Sequence, residues 1–381
     1  MSTHTFTRTR FTWLAYGMLA YFALSQSVFA PVMPFLRREL ELSYTVGGLH
    51  ASAFALGMVL VGLFSDGVIK KLGQRRTFWG GGAGMAVGTL LLATGQNATM
   101  TIFGALVMGT LGTLLFVMIQ ATLANAHERF RPVAFMEANL AAALSVSVLP
   151  LLVGGLEEVG SSWRVALFMV VAVWLLMVLT LRETPFPRPL QNEGESEGRL
   201  PRVFWLYWAI LFLSVSAEWC VALWSADFLI SSLAISESRA ASLVFVFIGA
   251  GALGRFIGSR RAKRTSSRSL LLVYLFILLG GFPLFWLGTT LPLKIIGLAV
   301  VGFGAAGLFP LGLATATDAL PTYADLISAR SSFAIGLAIL VNPQLLGVSA
   351  DLFGIERAFA LVLLLGGLAV VLTVFAGKVQ R

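Results

Sequence analysis

Long apolar stretches, separated by short polar breaks, run through almost the whole chain of 381 residues. A helix needs about 20 mostly apolar residues to cross the hydrocarbon core of a bilayer. Measured against that length, the sequence predicts twelve membrane spans with loops too short to hold a domain outside the membrane. We place the spans at 12–35, 45–65, 77–95, 100–124, 133–155, 164–181, 203–231, 239–259, 269–289, 294–316, 327–349 and 358–377.

The composition excludes most soluble classes of protein. Hydrophobic residues make up 57% of the chain and charged residues only 12%, whereas a soluble domain carries about 25% charged residues. Too little polar surface remains to cover a globule in water, which argues against a soluble enzyme or a disordered protein. The single Cys rules out an internal disulfide framework. We therefore predict an all-α integral membrane protein.

The basic residues are unevenly distributed between the two sides of the predicted membrane. An even number of spans places both termini on one side. That side carries 20 of the 27 Lys and Arg residues, the other side carries six, and Arg255 lies within a span. This asymmetry predicts that both termini are cytoplasmic in a cell membrane. The basic clusters thus set topology and contact membrane lipids, and we expect no nucleic-acid partner.

The chain divides into two halves of similar length. Residues 182–202 form the one long polar stretch, whose Pro, Gly and mixed charges predict a mobile cytoplasmic linker. On either side, 1–181 and 203–381 hold six predicted spans each.

Internal repeats indicate that the two halves are duplicates. Four residues near the end of the fifth span recur near the end of the eleventh at a constant offset of 193, and two residues after span two recur after span eight at an offset of 189. We predict two pseudo-symmetric six-helix bundles. The repeated residues are Pro150, Gly154, Glu158 and Arg164 with Pro343, Gly347, Asp351 and Arg357, and Gly62 and Asp66 with Gly251 and Arg255.

The loop after span two resembles the signature loop of the major facilitator superfamily. It runs from Gly62 through Asp66 and Gly73 to Arg75 and Arg76. Twelve spans, a six-plus-six plan and a central linker extend this resemblance over the whole chain. It implies a secondary transporter that works by alternating access, commonly as a monomer.

In that family, the loop latches the two halves together on the cytoplasmic side in the outward-open state. The resemblance implies that Asp66 faces the positive end of the span-eleven helix dipole, and that Arg75 or Arg76 pairs with acids of the N-terminal half. The sequence departs from the family pattern at Gly67, where a basic residue is usual.

Glu218 is the acid that the sequence places deepest in the membrane. It lies about fifteen residues into span seven, near mid-depth, where a charge costs at least a few kcal/mol. The family resemblance implies that spans one, four, seven and ten line a central cavity. One hypothesis is that Glu218 takes up and releases a proton during transport. The alternative is a neutral Glu that hydrogen-bonds a neighbouring helix.

The same family roles suggest further residues of the substrate cavity. Asp227, nine residues beyond Glu218, fits either a gate or an interfacial acid in water, and Arg255 fits a structural pairing at the inner face. Gln26 and Gln120 face the cavity if these helix roles hold. Trp219 and Trp224 flank the acid region and fit either stacking on an organic ligand or cation, or a packing or interfacial role.

The sequence contains no complete motif for binding a nucleotide or a metal ion. Two G-x-G-x-x-G stretches, 249–254 and 302–307, lie inside apolar spans, where small residues favour close helix packing. There is no phosphate-binding P-loop, and the three His residues are scattered. We expect no metal, no cofactor and no enzymatic activity.

The sequence leaves the cargo open. Proton-coupled export of a small lipophilic or cationic compound leads, since the only deep charge is negative. Uptake of a neutral metabolite or a sugar-like solute is the second reading. A non-transporting receptor on a transporter fold is a third, although no long signalling tail follows the last span.

Overall fold

The computed structural model describes residues 6–127, 130–187, 200–262 and 264–379, which contain helices and no strand. The helices are α1 (Arg10–Gln26), α2 (Phe29–Glu39), α3 (Tyr44–Leu72), α4 (Gln74–Thr94), α5 (Ala98–Ala126), α6 (Arg131–Glu158), α7 (Arg164–Leu181), α8 (Phe204–Leu233), α9 (Glu237–Arg261), α10 (Ser267–Leu287), α11 (Leu291–Ala305), α12 (Leu308–Ala319), α13 (Ala324–Phe353), α14 (Ile355–Ala358) and α15 (Ala360–Val379). Within them the side chains of Leu63, Ser65, Asp66, Pro132, Ala324, Asp325, Leu326, Ser328, Ala329 and Ser332 are not described.

The helices form twelve membrane-length segments, as the sequence predicts. Eleven segments of the described chain are long and apolar enough to cross a membrane. The remaining segment is α4, which has 21 residues but begins with Gln74, Arg75 and Arg76 and carries several glycines that lower its hydropathy.

Two predicted spans are broken at equivalent points relative to a proline. The first span divides into α1 and α2 at Ser27, and the tenth divides into α11 and α12 at Ala306. Pro31 and Pro310 each lie four residues later. A proline has no N–H to donate to the carbonyl four residues earlier, so the helical ladder is interrupted there.

The helices pack as two sets. Helices α1–α7 pack mainly on one another, as do α8–α15, and the two sets meet where α3 contacts α13, α6 contacts α9, and α2 contacts α8 and α9. We call the end of the molecule at which α1 begins and α15 ends the terminal face, and the opposite end the distal face.

The same glycine contact occurs once in each set. A Cβ added to Gly109 would lie 2.0 Å from the Phe54 carbonyl oxygen, and one added to Gly302 would lie 2.3 Å from the Phe247 carbonyl oxygen. Both pairs are related by the offset of 193 residues. Two backbones can approach this closely only where no side chain intervenes. The sequence interpretation of the 302–307 glycines as packing residues is therefore confirmed at Gly302.

Two of the repeated glycines join the two sets near the distal face. A Cβ on Gly154 of α6 would lie 2.0 Å from Ser242 Oγ of α9, and one on Gly347 of α13 would lie 2.7 Å from the Tyr44 carbonyl oxygen of α3. The repeat thus marks two equivalent places where helices of different sets touch.

The remaining repeated residues make different contacts in the two sets. Asp351 accepts hydrogen bonds from the backbone N–H groups of Tyr44 and Thr45, at 2.8 and 2.7 Å, across the two sets. Glu158, its counterpart, is exposed. Arg164 pairs with Glu39, whereas Arg357 is exposed.

We predict that Gly154→Leu loosens the distal contact and that the neighbouring Gly155→Leu does not. A Cβ at Gly155 meets no atom within 4 Å, whereas overpacking at a tight contact costs about 1–3 kcal/mol. The measurement is the rate of maleimide labelling of Ser52→Cys, a position that is 8% exposed and bonds the Leu340 carbonyl of the other set. The native Cys220 is buried, which keeps the background low. Equal labelling in both glycine variants would contradict the prediction.

Candidate functional site

Glu218 lies at the middle of α8, beside a cation of the adjacent helix. Its Oε1 is 4.0 Å from Nη2 of Arg255 on α9, with side-chain exposures of 18% for Glu218 and 56% for Arg255. At this separation the two charges attract each other without being locked by a short hydrogen bond. Arg255 therefore reaches the mid-depth acid, which the sequence interpretation as an inner-face pairing did not include.

The helix that carries Glu218 is held against α13 on a different face. Asn342 donates from Nδ2 to Ser216 Oγ at 2.7 Å in a buried site. Trp219 is half-buried and packs beside a small apolar cluster that contains Val215 and Ala338. These contacts fix the rotation of α8 and hence the direction in which Glu218 projects.

Gln26 and Gln120 do not meet. The Phe22 and Phe116 rings of α1 and α5 pack at a tilt of 31°, with their centroids 5.0 Å apart, and each Gln lies four residues after one of these rings. Because α1 and α5 are antiparallel, the two Gln residues lie on opposite sides of the ring pair, about two helical turns apart along the bundle. Both side chains are half-buried.

A buried ion pair joins the two sets at the distal face. Arg37 of α2 donates to Asp227 of α8, with side-chain exposures of only 16% and 4%. The guanidinium lies over the Tyr44 ring, 3.4 Å from its centroid. Asp227 is therefore enclosed between the sets instead of standing in interfacial water.

Further contacts surround this pair. Arg38 and Glu237 form a second, more exposed ion pair across the sets. Trp224 is fully buried, meets the Tyr44 ring edge-on at 5.6 Å, and donates to the Pro343 carbonyl at 2.9 Å. Trp224, a predicted cavity residue, thus lies inside the distal contact in this structure.

All hydrogen bonds and ion pairs between the two sets in the described chain lie on the distal side. They run from the pairs at Arg37 and Arg38 to Ser52, whose hydroxyl donates to the Leu340 carbonyl at 2.7 Å. Toward the terminal face the described ion pairs stay within one set. The molecule is therefore closed at its distal face.

The described side-chain hydrogen bond of the predicted latch segment stays within its own set. Gly62 has no atom within 4 Å of an added Cβ, and Gly73 adopts a φ of +78° at the junction of α3 and α4, a conformation that favours glycine. Arg75 donates to the Arg182 carbonyl, and Arg76 is exposed. The side chain of Asp66 lies outside the described residues.

A polar network lines the start of α1 at the terminal face. Arg8 donates from Nε and Nη2 to the two carboxylate oxygens of Glu137, at 2.8 and 2.5 Å, and Tyr16 donates to the same carboxylate at 3.0 Å. The His127 ring lies 2.7 Å from the Thr12 hydroxyl. Burial lowers the pKa of His127, while the Glu137 carboxylate opposes this shift.

Sequence reasoning missed two enclosed cations because it counted them as loop residues. Arg37 is one of them, and it lies in the last turn of α2, which extends beyond the predicted end of the first span at residue 35. Lys294 is the other. It is 2% exposed and donates to the Phe285 and Trp286 carbonyls at 3.1 and 3.3 Å, so it caps the end of α10.

We predict that Asp227→Asn opens the distal face far more than Glu237→Gln. Removing one partner of a buried ion pair costs about 3–5 kcal/mol, whereas an exposed pair contributes about 1 kcal/mol or less. The readouts are the labelling rate of Ser52→Cys and the thermal unfolding midpoint. Labelling accelerates about tenfold or more in Asp227→Asn. An effect no larger than that of Glu237→Gln contradicts a gating role for the Arg37–Asp227 pair.

Comparison with known proteins identifies the family. Residues 15–343 match the family model described as Major Facilitator Superfamily. The chain is 24% identical over 379 residues to the uncharacterized MFS-type transporter YceJ of Bacillus subtilis (strain 168), covering 92% of this chain and 93% of that protein.

Solved structures of two transporters share the fold. One is a bacterial homolog of the human lysosomal transporter Spinster in an inward-facing, occupied conformation, with 13% identity, a TM-score of 0.77 and coverage of 97% and 96%. The other is a mutant of the nucleoside transporter NupG, with 14% identity, a TM-score of 0.78 and coverage of 97% and 99%. The chain therefore belongs to the Major Facilitator Superfamily of secondary transporters.

Proposed function

We propose that this transporter exports a small lipophilic or cationic compound in exchange for protons, with Glu218 as the group that binds the proton. The observation that carries this proposal is the position of Glu218 at mid-depth, beside but not locked to Arg255. A charged acid at this depth costs at least a few kcal/mol, so acids in such positions are rare and mark functional sites.

The loose Glu218–Arg255 pair supports an exchange of partners. A cationic cargo that contacts the Glu218 carboxylate replaces the attraction of Arg255. A proton that arrives at the same carboxylate removes its charge and weakens its hold on the cargo. Proton and cargo therefore compete for one group, which is the requirement for exchange.

Alternating access requires that the distal contact opens and a terminal contact forms. In the cycle we propose, the bundles 1–181 and 203–381 rock about the Glu218 region, joined by the linker 182–202. The Arg37–Asp227 pair breaks as the distal face opens, and the segment with Asp66 and Arg75 closes the terminal face.

The basic residues support an orientation in the cell membrane. We propose that the terminal face is cytoplasmic, since it carries most of the Lys and Arg residues. The structure then corresponds to an inward-facing state. In this orientation an inward proton gradient drives export, because protons bind from the distal side.

We predict that Glu218→Gln abolishes proton coupling in proteoliposomes. The amide keeps the size and hydrogen-bonding capacity of the side chain but does not titrate, so a pH gradient no longer drives uphill movement of cargo. Asp318→Asn is the matched control, since Asp318 is an acid of the same set that bonds Ser267 at 2.7 Å. Unchanged pH-driven transport by Glu218→Gln would eliminate the coupling role.

Uptake of a neutral metabolite or a sugar-like solute is the second candidate function. It is favoured by the structural similarity to the nucleoside transporter NupG. In this case Glu218 is a structural hydrogen-bonding group, and the cargo does not compete with protons.

Ligand-dependent thermal stability separates the two candidates. A ligand that binds only the folded protein raises the unfolding midpoint by mass action. We predict that organic cations stabilise the wild type more at about pH 8 than at about pH 5.5, because the proton and the cation compete at Glu218. This pH dependence disappears in Glu218→Gln. Stabilisation by neutral solutes, equal at both pH values, supports uptake instead.

A further inference from the structure

A groove lies between α4 and α7, away from Glu218 and from the contacts between the sets. Its volume is about 500 Å³. Since α4 begins and α7 ends at the terminal face, the groove lies in the membrane leaflet on that side. Its lining residues are Arg75, Trp79, Gly80, Ala83, Trp174, Val178, Arg182 and Glu183.

The charged residues are confined to the end of the groove at the terminal face. Arg75 is in the first turn of α4, and Arg182 and Glu183 follow α7 directly. The Arg75 guanidinium donates to the Arg182 carbonyl, which holds these two segments together. Two guanidinium groups and one carboxylate give this end a formal charge of +1, which matches one singly charged anion.

The rest of the groove is apolar and extends into the membrane. Trp79 lies about 7 Å, and Trp174 about 10 Å, along its helix from the terminal-face end. Between these indole rings no side chain narrows the groove, because residue 80 is a glycine. Gly80 is exposed, and a Cβ added to it would meet no atom within 4 Å. The neighbouring Leu175, Leu176 and Leu179 are exposed by 49%, 61% and 74%, as expected of a surface that faces lipid.

We propose that this groove binds one phospholipid of the leaflet at the terminal face. The Arg75 and Arg182 guanidinium groups hold the phosphodiester, and an acyl chain lies along Gly80 and Ala83 between the two Trp rings. A phosphodiester carries one negative charge, so it matches the net charge of the polar end. Basic pockets between transmembrane helices are known to hold phospholipid headgroups. Both helices belong to the same set, so the groove is formed within that set.

The test compares two glycine-to-leucine variants by native mass spectrometry of the purified protein with added phosphatidylglycerol. Gly80→Leu fills the groove. Gly280→Leu is the matched control, because Gly280 is an exposed helical glycine of the other set, also with no atom within 4 Å of its added Cβ. We expect one retained phosphatidylglycerol in the wild type and in Gly280→Leu, and at least tenfold weaker retention in Gly80→Leu. Equal retention in all three proteins overturns the proposal.

Two further arms identify which part of the lipid is recognised. Arg182→Gln weakens the binding of phosphatidylglycerol about tenfold if the phosphodiester is held by charge. Glycerol phosphate, which has the anion without acyl chains, competes poorly if the apolar groove contributes. Effective competition by glycerol phosphate or by inorganic phosphate shows an anion site and overturns the lipid assignment. Thermal unfolding midpoints of the variants within a few degrees of the wild type establish that a loss of binding is not a loss of folding.

Discussion

The absence of water in the hydrocarbon core is the constraint on which this structure depends. Every backbone N–H and C=O group within the bilayer must find a partner inside the protein, and a helix provides these partners within one segment. Helices in lipid gain little from burying apolar side chains against each other, so they associate where their backbones approach closely. Gly109 on Phe54 and Gly302 on Phe247 are such approaches, repeated in the two sets.

The same constraint applies to the charged side chains within the membrane, which need partners inside the protein. The Arg37–Asp227 pair is enclosed between the sets and is supported by the Tyr44 ring, so closing the distal face satisfies both charges together. Lys294 is satisfied by helix-terminal carbonyls within its own set. Glu218 differs from both, because its nearest cation stands 4.0 Å away and leaves the carboxylate able to exchange partners.

The two sets share equivalent glycine contacts but differ in the polar residues at equivalent positions. Gly154 and Gly347 perform the same task in the two contacts between the sets. Asp351 bonds the start of α3, whereas its counterpart Glu158 remains exposed. A transporter needs different contacts at equivalent positions of its two sets, since its two faces must open in turn and not together.

The sequence alone determined the helical class, the twelve segments, the repeat and the position of Glu218 near the middle of its helix, because span length, hydropathy and residue spacing are local properties. It also predicted that the in-span glycine motifs serve packing. Only the tertiary structure decided which side chains meet. It brought Arg255 to Glu218, enclosed Asp227 and Trp224 in the distal contact and separated Gln26 from Gln120. These outcomes depend on the rotation and tilt of each helix, which arise from contacts between residues far apart in the chain and leave no periodic signal within a single span.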